Sequence, residues 1–235
     1  MSTSAAKISI LLPCFNEAAG IPRLESVLFP ALDRLGEPYE VVAVDDGSTD
    51  GTGRELGALA QKVRRLRVLT HAENRGLGAA LRTGLRAARG EWIVFLDADL
   101  TFHPELIGGL LAAQRASGAD CVSGSPFLDG MPGVPWSRRL PSMLLNAFYR
   151  GFLSRRLTSF TPMFRLYRAA DLRSIRLASD GFEISAEILA RLLRAGRTVR
   201  EIPAPLTVRT AGSSKLRCWR ELANHLRLIG RLLAP

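Results

Sequence analysis

Two closely spaced carboxylates, Asp97 and Asp99, are the residues of this chain whose types and spacing best suit chemistry. They follow the apolar residues 92–96 in the segment Asp-Ala-Asp-Leu, which places both at the end of a predicted strand. Burying two such charges unpaired is costly. A divalent cation removes their repulsion and clamps a diphosphate, because hard cations prefer carboxylate oxygen. The pair therefore predicts a site for a metal ion and a phosphate group.

A second acidic group follows the apolar residues 41–44 and consists of Asp45, Asp46 and Asp50. Asp50 is of a residue type that caps helices, and we interpret it as the cap of the helix that follows. In a doubly wound parallel sheet, ligands bind beyond the carboxyl ends of the strands. We therefore expect the two acidic groups to meet at that edge of the sheet.

The elements that would position these carboxylates alternate between apolar strands and helices. Strands are predicted at residues 8–12, 41–44, 68–69, 92–96 and 120–123, and helices at 21–35 (interrupted near Pro30), 52–63, 77–88 and 104–117. Short strands separated by helices indicate βαβ units around a parallel sheet that is covered on both faces. We expect an α/β protein, a three-layer α/β/α sandwich with a mostly parallel central sheet.

The second half of the chain has a less regular pattern. Residues 125–141 are rich in proline and glycine and are predicted to form a long loop. A helix at 142–157, a strand at 164–167, a helix at 182–195, short extended segments at 198–202 and 206–208, and a final helix at 219–233 follow. Because no linker divides the chain, we expect one domain over residues 1–235, with halves at 1–124 and 125–235.

The composition is that of a folded protein with an excess of positive charge. Lys+Arg number 32 and Asp+Glu 22, a net charge of +10, which indicates an anionic partner such as a nucleotide or a phospholipid surface. The three cysteines are far apart and form no C-x-x-C pair, so disulfides and cysteine–metal sites are not expected. No apolar run has the length of a signal sequence or a membrane span, and we expect a cytoplasmic protein.

Two other classes have to be considered: a dinucleotide-binding fold, because of the βαβ pattern, and a nucleic-acid-binding protein, because of the arginines. The glycine fingerprint of the former should follow the first strand, but the partial match Gly76-Leu77-Gly78 follows the third strand and has Leu81 in place of the last glycine. Such a match is weak evidence. Arginines could bind nucleic-acid phosphates, but aromatic residues are only 7% and no stacking module appears. Neither NAD nor nucleic acid is expected as a ligand.

Six segments in order together resemble the family 2 glycosyltransferases of GT-A fold, and within them the dolichol- or polyprenol-phosphate mannosyltransferase group. They are residues 12–17 (LPCFNE), 44–50 (VDDGSTD), 74–80 (NRGLGAA), 97–100 (DADL), 181–189 (GFEISAEIL) and 209–216 (RTAGSSKL). The likeness covers nearly the whole chain. It implies the GT-A (Rossmann-like) fold and an inverting transfer of a sugar, mannose first among them, from a nucleotide-diphosphate donor such as GDP-mannose.

The resemblance also implies roles for individual residues. Asp97 and Asp99 would bind Mg²⁺ or Mn²⁺ and, through the metal, the diphosphate of the donor, and with Arg209 they are the expected catalytic residues. Ala98 would add a backbone contact, and Arg209 and Lys215 would close over the phosphates, whose charge they can neutralise. The base and ribose of the nucleotide would be held by Pro13, Phe15, Glu17, Val44 and Asp46.

The acceptor implied by the resemblance is a polyprenyl or dolichyl phosphate. This nucleophile is already anionic and needs cations rather than a base, and Arg138 and Arg139 ahead of Ser142 resemble the acceptor-phosphate segment. A hydroxyl acceptor would need a carboxylate base, for which Glu183 and Glu187 are available, although we interpret both as helix-surface or structural carboxylates. The chain departs from the group on this side of the site. Gln, Arg, an acidic residue and Gly are replaced there by Thr101, Pro126, Ser159 and Met163.

Two predicted helices of the second half combine apolar side chains with arginines. One carries Leu144 and Phe148, and the other carries Leu222 and Leu226. Helices of this kind bind the interface of anionic membranes, so we expect peripheral association with the cytoplasmic face of a membrane. A UDP-sugar-dependent transferase, of glucose type or with a hydroxyl acceptor, and an inactive nucleotide-sugar-binding protein are the alternatives.

Overall fold

The computed structural model describes residues 6–128, 136–206 and 218–233, with the backbone alone at residues 136–142 and 218–220. Its centre is a sheet of seven strands: β1 (Ile8–Cys14), β2 (Tyr39–Asp45), β3 (Leu66–Thr70), β4 (Trp92–Phe95), β5 (Cys121–Ser125), β6 (Arg165–Arg168) and β7 (Val199–Pro203). Their order across the sheet is β3-β2-β1-β4-β6-β5-β7. Strand β6 runs antiparallel to β4 and β5, and the other pairs are parallel. The predicted mostly parallel sheet is confirmed.

Helices cover both faces of this sheet. They are α1 (Ile21–Arg23), α2 (Phe29–Asp33), α3 (Thr52–Lys62), α4 (Leu77–Ala87), α5 (Leu106–Ser117), α6 (Trp136–Phe152), α7 (Ala169–Ser174), α8 (Ile184–Arg194) and α9 (Cys218–Leu233). Successive side chains of a strand point to opposite faces, so Ile10 and Leu12 of β1 pack with α1, α2, α3 and α5, while Leu11 packs with α4 and α8. A third apolar cluster joins α6, α8 and α9, and α8 contributes side chains both to this cluster and to the cluster on the second face of the sheet.

Several local predictions differ from the structure, among them the end of the helix expected at 142–157, because α6 ends at Phe152. Helix α6 begins at Trp136, inside the predicted loop 125–141. The prediction placed the start of the helix after Pro141, because proline normally interrupts a helix, but the structure includes Pro141 in α6. The predicted helix at 21–35 is helical from Ile21 to Asp33, with a π-helical turn at Leu24–Leu28 just before Pro30. The short helix α7 was not predicted. Of the expected segment 206–208, Leu206 forms an isolated bridge with Phe102, and 207–208 lie outside the described residues.

Candidate active site

The site lies where the order of the sheet reverses, at the carboxyl ends of β1, β2 and β4. Strand β1 pairs in parallel with β2 on one side and with β4 on the other, with Cys14 opposite Asp45 and Leu11 opposite Phe95. The backbone N–H of Leu96 donates to the carbonyl of Leu11 at 3.1 Å. The segments that follow these strands therefore share one edge, which is where open α/β sheets bind ligands.

The segments after β1 and β2 are tied together by hydrogen bonds. Asn16, which adopts a left-handed conformation with φ 53°, donates its backbone N–H to the hydroxyl of Ser48 at 2.9 Å and accepts the N–H of Thr49 on its amide oxygen at 2.8 Å. The N–H of Glu17 donates to the hydroxyl of Thr52 at 2.8 Å. Residues 15–18 are thereby held against the loop that begins at Asp45.

Asp50 has the structural role at the start of α3 that the sequence indicates. Its carboxylate accepts the N–H of Thr52 at 3.0 Å, the hydroxyl of the same residue at 2.5 Å, and the N–H of Ala18 at 3.2 Å. Partial burial raises the pKa of Asp50, but these hydrogen bonds outweigh that effect and leave the pKa below its usual value. The N-cap of α3 is Gly51, with φ 93°, so Asp50 stabilises the start of the helix from the position before the cap instead of being the cap itself.

The Asp-Ala-Asp segment follows β4 and is fixed by its own neighbours. One carboxylate oxygen of Asp99, Oδ1, accepts the N–H of Thr101 at 2.9 Å and its hydroxyl at 2.7 Å. Leu100 between them has a positive φ of 53°, and Arg23 donates to the carbonyl of Asp99 at 3.1 Å. Asp97 and Asp99 are both half-buried. Thr101 therefore orients the Asp99 carboxylate.

Gly20, in the segment that follows β1, lies close to both Glu17 and the backbone of Ala98. A Cβ atom placed on Gly20 would lie 3.6 Å from the carbonyl oxygen of Ala98 and 4.0 Å from the carboxylate of Glu17. Pro13, Phe15 and Glu17 are all half-buried at this edge. The predicted base-and-ribose residues of the first segment thus lie beside the predicted metal segment.

The chemistry of this edge suits a divalent cation that shares its coordination with a substrate. Within the described part of the chain, no group of three or more His, Cys, Asp or Glu side chains could enclose a metal by itself. Asp97 and Asp99 offer two hard oxygen donors, and Mg²⁺ is commonly held by one or two carboxylates together with substrate phosphates. The donor set fits Mg²⁺ or Mn²⁺ bound together with a diphosphate.

Two of the predicted nucleotide contacts, Val44 and Asp46, are buried. Val44 is 1% exposed and packs on α4, and Asp46 is 3% exposed. The carboxylate of Asp46 accepts hydrogen bonds from His71 and from the backbone of residues 75 and 76. His71 was not singled out in the sequence, because a lone histidine just beyond a strand carries no pattern.

The glycines of the segment 74–80 have a structural function. The N–H of Gly78 donates to the carbonyl of Asp180 at 2.8 Å, and a Cβ on Gly78 would collide with the carbonyl of Ser179. Arg82 also contacts Ser179 and Asp180. This segment therefore forms the joint between α4 and the turn at residues 178–181.

Glu187 holds the same turn from the other side. Its carboxylate, fully buried, accepts the N–H of Ala178 at 3.1 Å and of Ser179 at 2.8 Å, and pairs with Arg191 at 2.8 Å. Burial raises the pKa of Glu187, but the hydrogen bonds from Ser179, Arg191 and Ala178 lower it below its usual value. Glu187 is thus a structural carboxylate, as expected, although it is buried rather than on the helix surface.

Glu183 is the other carboxylate considered as a base. It is 4% exposed; Oε1 accepts the N–H of Gly181 at 3.3 Å, while Oε2 has no hydrogen-bond partner among the described residues. Tyr149, whose pKa is raised mainly by burial and further by the charge of Glu183, bonds His225 at 2.7 Å. Glu183 belongs to a buried polar group beneath α6 and α9.

The second half of the chain has a buried arginine at its centre that the sequence analysis did not single out. Arg165 is fully buried and donates to the hydroxyl of Ser123 at 2.9 Å and to the carbonyls of Ser185 at 2.9 Å and Ser159 at 3.3 Å. Its neighbour Met163 is also buried. Arg165 joins β5, β6, α8 and the loop before β6. Its place inside a short strand gave no sequence signal of this function.

Five of the predicted residues cannot be placed in full, among them Arg139, of which only the backbone on α6 is described. Arg209 and Lys215 lie outside the described residues, and only the backbone is described for Arg138 and Ser142, both on α6. Pro126 lies in a turn after β5.

The chain belongs to glycosyl transferase family 2, whose profile it matches over residues 9–176. It is 33% identical to an undecaprenyl-phosphate mannosyltransferase of Micrococcus luteus, over 89% of this chain and 87% of that protein. It is 31% identical to a dolichol-phosphate mannosyltransferase of Pyrococcus furiosus, over 97% of this chain and 64% of that protein.

Solved structures share the fold. A glucosyl-3-phosphoglycerate synthase of Mycobacterium tuberculosis, in complex with Mn²⁺, UDP and its product, superposes with a TM-score of 0.70 at 23% identity, covering 97% of this chain and 79% of that one. A mannosyltransferase of Pyrobaculum calidifontis, in complex with GDP-mannose and Mn²⁺, gives a TM-score of 0.67 at 19% identity, covering 97% and 65%. The GT-A fold is confirmed. In the described part of the chain, no helix has the length and apolar character to cross a membrane.

Proposed function

We propose that the protein transfers mannose from GDP-mannose to a polyprenyl or dolichyl phosphate, with inversion at the anomeric carbon. The observation that carries the proposal is that the segment after β1 reaches the Asp97–Asp99 segment at the switch point of the sheet, where Arg23 donates to the carbonyl of Asp99 at 3.1 Å. The two curated relatives described above, which match 89% and 97% of this chain, are named as mannosyltransferases of lipid phosphates.

On this proposal, the donor lies across the ends of β1, β2 and β4. Asp97 and Asp99 would hold Mg²⁺ or Mn²⁺, which when bound supplies charge neutralisation for the departing diphosphate. Pro13, Phe15 and Glu17 would contact the base and ribose, as would Val44 and Asp46. Ala98 would contribute its backbone, and Arg209 and Lys215 would neutralise the phosphates from the segment that precedes α9.

A lipid phosphate attacks without losing a proton, so the acceptor site needs cations. Arg138 and Ser142 on α6 are the proposed acceptor-phosphate residues. With a hydroxyl acceptor, a base would be required, and Glu183 is the carboxylate in question. Oε2 of Glu183, which has no hydrogen-bond partner among the residues that the structure describes, makes a hydroxyl acceptor the second candidate function.

We further propose that α6 and α9 rest on an anionic membrane surface. Leu144 and Phe148 of α6 are 63% and 50% exposed, and Leu222 and Leu226 of α9 are 45% and 59% exposed. The opposite sides of both helices pack into the third apolar cluster. Exposed arginines lie on and beside them at positions 150, 155, 156, 227 and 231. Apolar side chains of this kind can enter the acyl-chain region of a membrane, while the neighbouring arginines bind its anionic head groups.

A transfer assay tests the proposed reaction. The protein is incubated with GDP-mannose, Mn²⁺ and a short-chain polyprenyl phosphate, and the lipid product is analysed by NMR. We expect a mannosyl phosphate lipid of β configuration, absent with Asp97→Asn and retained with Glu25→Gln, a variant of an exposed carboxylate that pairs with Lys62. Transfer to a sugar or alcohol hydroxyl, or from UDP-glucose alone, would overturn the proposal in favour of the second candidate.

A further inference from the structure

Asp46 already uses both oxygens of its carboxylate inside the protein. Oδ1 accepts from Nδ1 of His71 at 2.6 Å and from the N–H of Arg75 at 3.0 Å, and Oδ2 accepts from the N–H of Gly76 at 2.8 Å. The N–H of Asp46 itself donates to the carbonyl of Cys14 at 2.8 Å. Asp46 therefore connects the end of β1 to the loop at residues 71–76.

The backbone shape of the adjoining residue makes this connection tight. Gly47 has a φ of 68°, and a Cβ at that position would collide with the backbone of Glu73 and Asn74. The loop after β2 and the loop after β3 therefore pack as one body. Both loops follow the carboxyl ends of parallel strands at the edge where the donor site is proposed, and we assign their shared surface to the wall of that site.

His71 is held in one orientation by a line of hydrogen bonds that runs to the surface. It is 8% exposed, and its Nε2 lies 3.0 Å from the hydroxyl of Thr83. Arg86 donates to that same hydroxyl oxygen at 3.0 Å, which leaves the proton of Thr83 to point at Nε2. Because the Asp46 carboxylate can only accept, Nδ1 of His71 carries the proton that the two share.

We infer that His71 is a positioning residue of the donor site. By donating from Nδ1 to Asp46, it holds the loop at residues 71–76 against the end of β2 and so fixes the wall that meets the nucleotide. The carboxylate of Asp46 is held in place by the same bonds, and the exposed side chain of Arg75 lies on the loop that they fix. The inference rests on the proposed nucleotide-sugar function.

Two substitutions distinguish the effect of the hydrogen-bond donor of His71 from the effect of its side-chain volume. An asparagine amide can take the place of Nδ1 and donate to Asp46, whereas a glutamine amide reaches the position of Nε2 near Thr83. We expect His71→Gln to weaken Mn²⁺-dependent GDP binding by about tenfold, because a hydrogen bond to a charged group is lost. We expect His71→Asn to remain within about threefold of the wild type. Binding is measured by calorimetry at a temperature where thermal unfolding shows both variants folded.

The outcomes are distinct. Equal binding by His71→Gln and the wild type, or equal losses in the two variants, would overturn the inference while the proposed function stands. A wild type that binds neither GDP nor UDP with Mn²⁺ would overturn the proposed function and the role of His71 with it. The ¹⁵N NMR shifts of the His71 imidazole in the free protein give an independent readout: we expect protonated Nδ1 and unprotonated Nε2, and the opposite tautomer would refute the assigned hydrogen-bond line.

Discussion

Thr101 donates both its backbone N–H and its hydroxyl to one carboxylate oxygen of Asp99, at 2.9 and 2.7 Å. The two hydrogen bonds fix the rotamer of a carboxylate that we assign to a metal. They also show how this chain orients Asp99 with a threonine at the position where the family resemblance leads us to expect glutamine.

Removal of the Thr101 hydroxyl is expected to weaken the metal site without unfolding it. Thr101→Val keeps the shape of the side chain but loses one hydrogen bond to Asp99, and we expect a three- to tenfold rise, roughly, in the Kd for GDP in the presence of Mn²⁺. Thr101→Ser, which keeps the hydroxyl, serves as the control. Calorimetry that finds Thr101→Val and Thr101→Ser equal to the wild type would show that Asp99 is oriented by other groups.

A substitution that disrupts the joint between α4 and the turn at residues 178–181 is expected to lower the stability of the protein strongly. Gly78→Ala places a methyl group against the carbonyl of Ser179, and we expect the free energy of unfolding to fall by about 3 kcal/mol. Gly57→Ala in α3 meets nothing within 4 Å and should raise it by about 0.5–1 kcal/mol. Urea denaturation measures both. A Gly78→Ala protein as stable as the wild type would contradict the described packing.

Stability should depend on pH through His225. Burial lowers the pKa of His225 to about 4, whereas an unfolded histidine has a pKa of about 6.5. As the pH falls from about 6.5 to 4, His225 becomes protonated in the unfolded chain but stays neutral in the folded chain. The free energy of unfolding therefore declines, by up to about 3 kcal/mol.

A histidine variant isolates that contribution from those of the carboxylates. His225→Gln should flatten the decline between about pH 6.5 and 4, while His103→Gln, a change at an exposed site, should leave the profile unchanged. Denaturation curves at a series of pH values provide the measurement. If both variants show the wild-type slope, His225 titrates alike in the folded and unfolded chains.

Membrane association is expected to depend on the outward faces of α6 and α9. Replacing Leu144 and Leu226 together with serine should weaken co-sedimentation with vesicles of anionic phospholipid at low salt by at least about tenfold, because two exposed leucines no longer enter the interface. Leu128→Ser, at a leucine 44% exposed elsewhere, is the matched control. Vesicle binding that is absent in the wild type, or unchanged in the double variant, would refute the proposed surface.

The sheet and the edge that carries the site could be predicted from the sequence because the relevant signals are local. The apolar runs that end at Asp45 and just before Asp97 indicate strands, and the acidic residues that follow indicate where each strand ends. The start of α6 could not be predicted, since a proline normally ends a helix and the tertiary context overrides that preference at Pro141.

The roles of His71 and Arg165 depend on contacts between residues that are distant in the chain. Asp46 lies 25 residues from His71, and Arg165 lies 42 residues from Ser123. No spacing rule records such pairs, and a polar residue inside or beyond a strand is indistinguishable from a solvated one until the fold is known. The same limit applies to Glu187, whose helical spacing to Arg191 was evident while its burial was not.

The central claim is a metal-dependent donor site for GDP-mannose at Asp97 and Asp99, and calorimetry of GDP binding tests it most directly. We predict that GDP binds in the presence of Mn²⁺, that binding is lost without the metal, and that Asp99→Asn raises the Kd at least about tenfold while Glu25→Gln does not. GDP binding that is indifferent to Mn²⁺ and to Asp99→Asn, or a clear preference for UDP, would contradict the account.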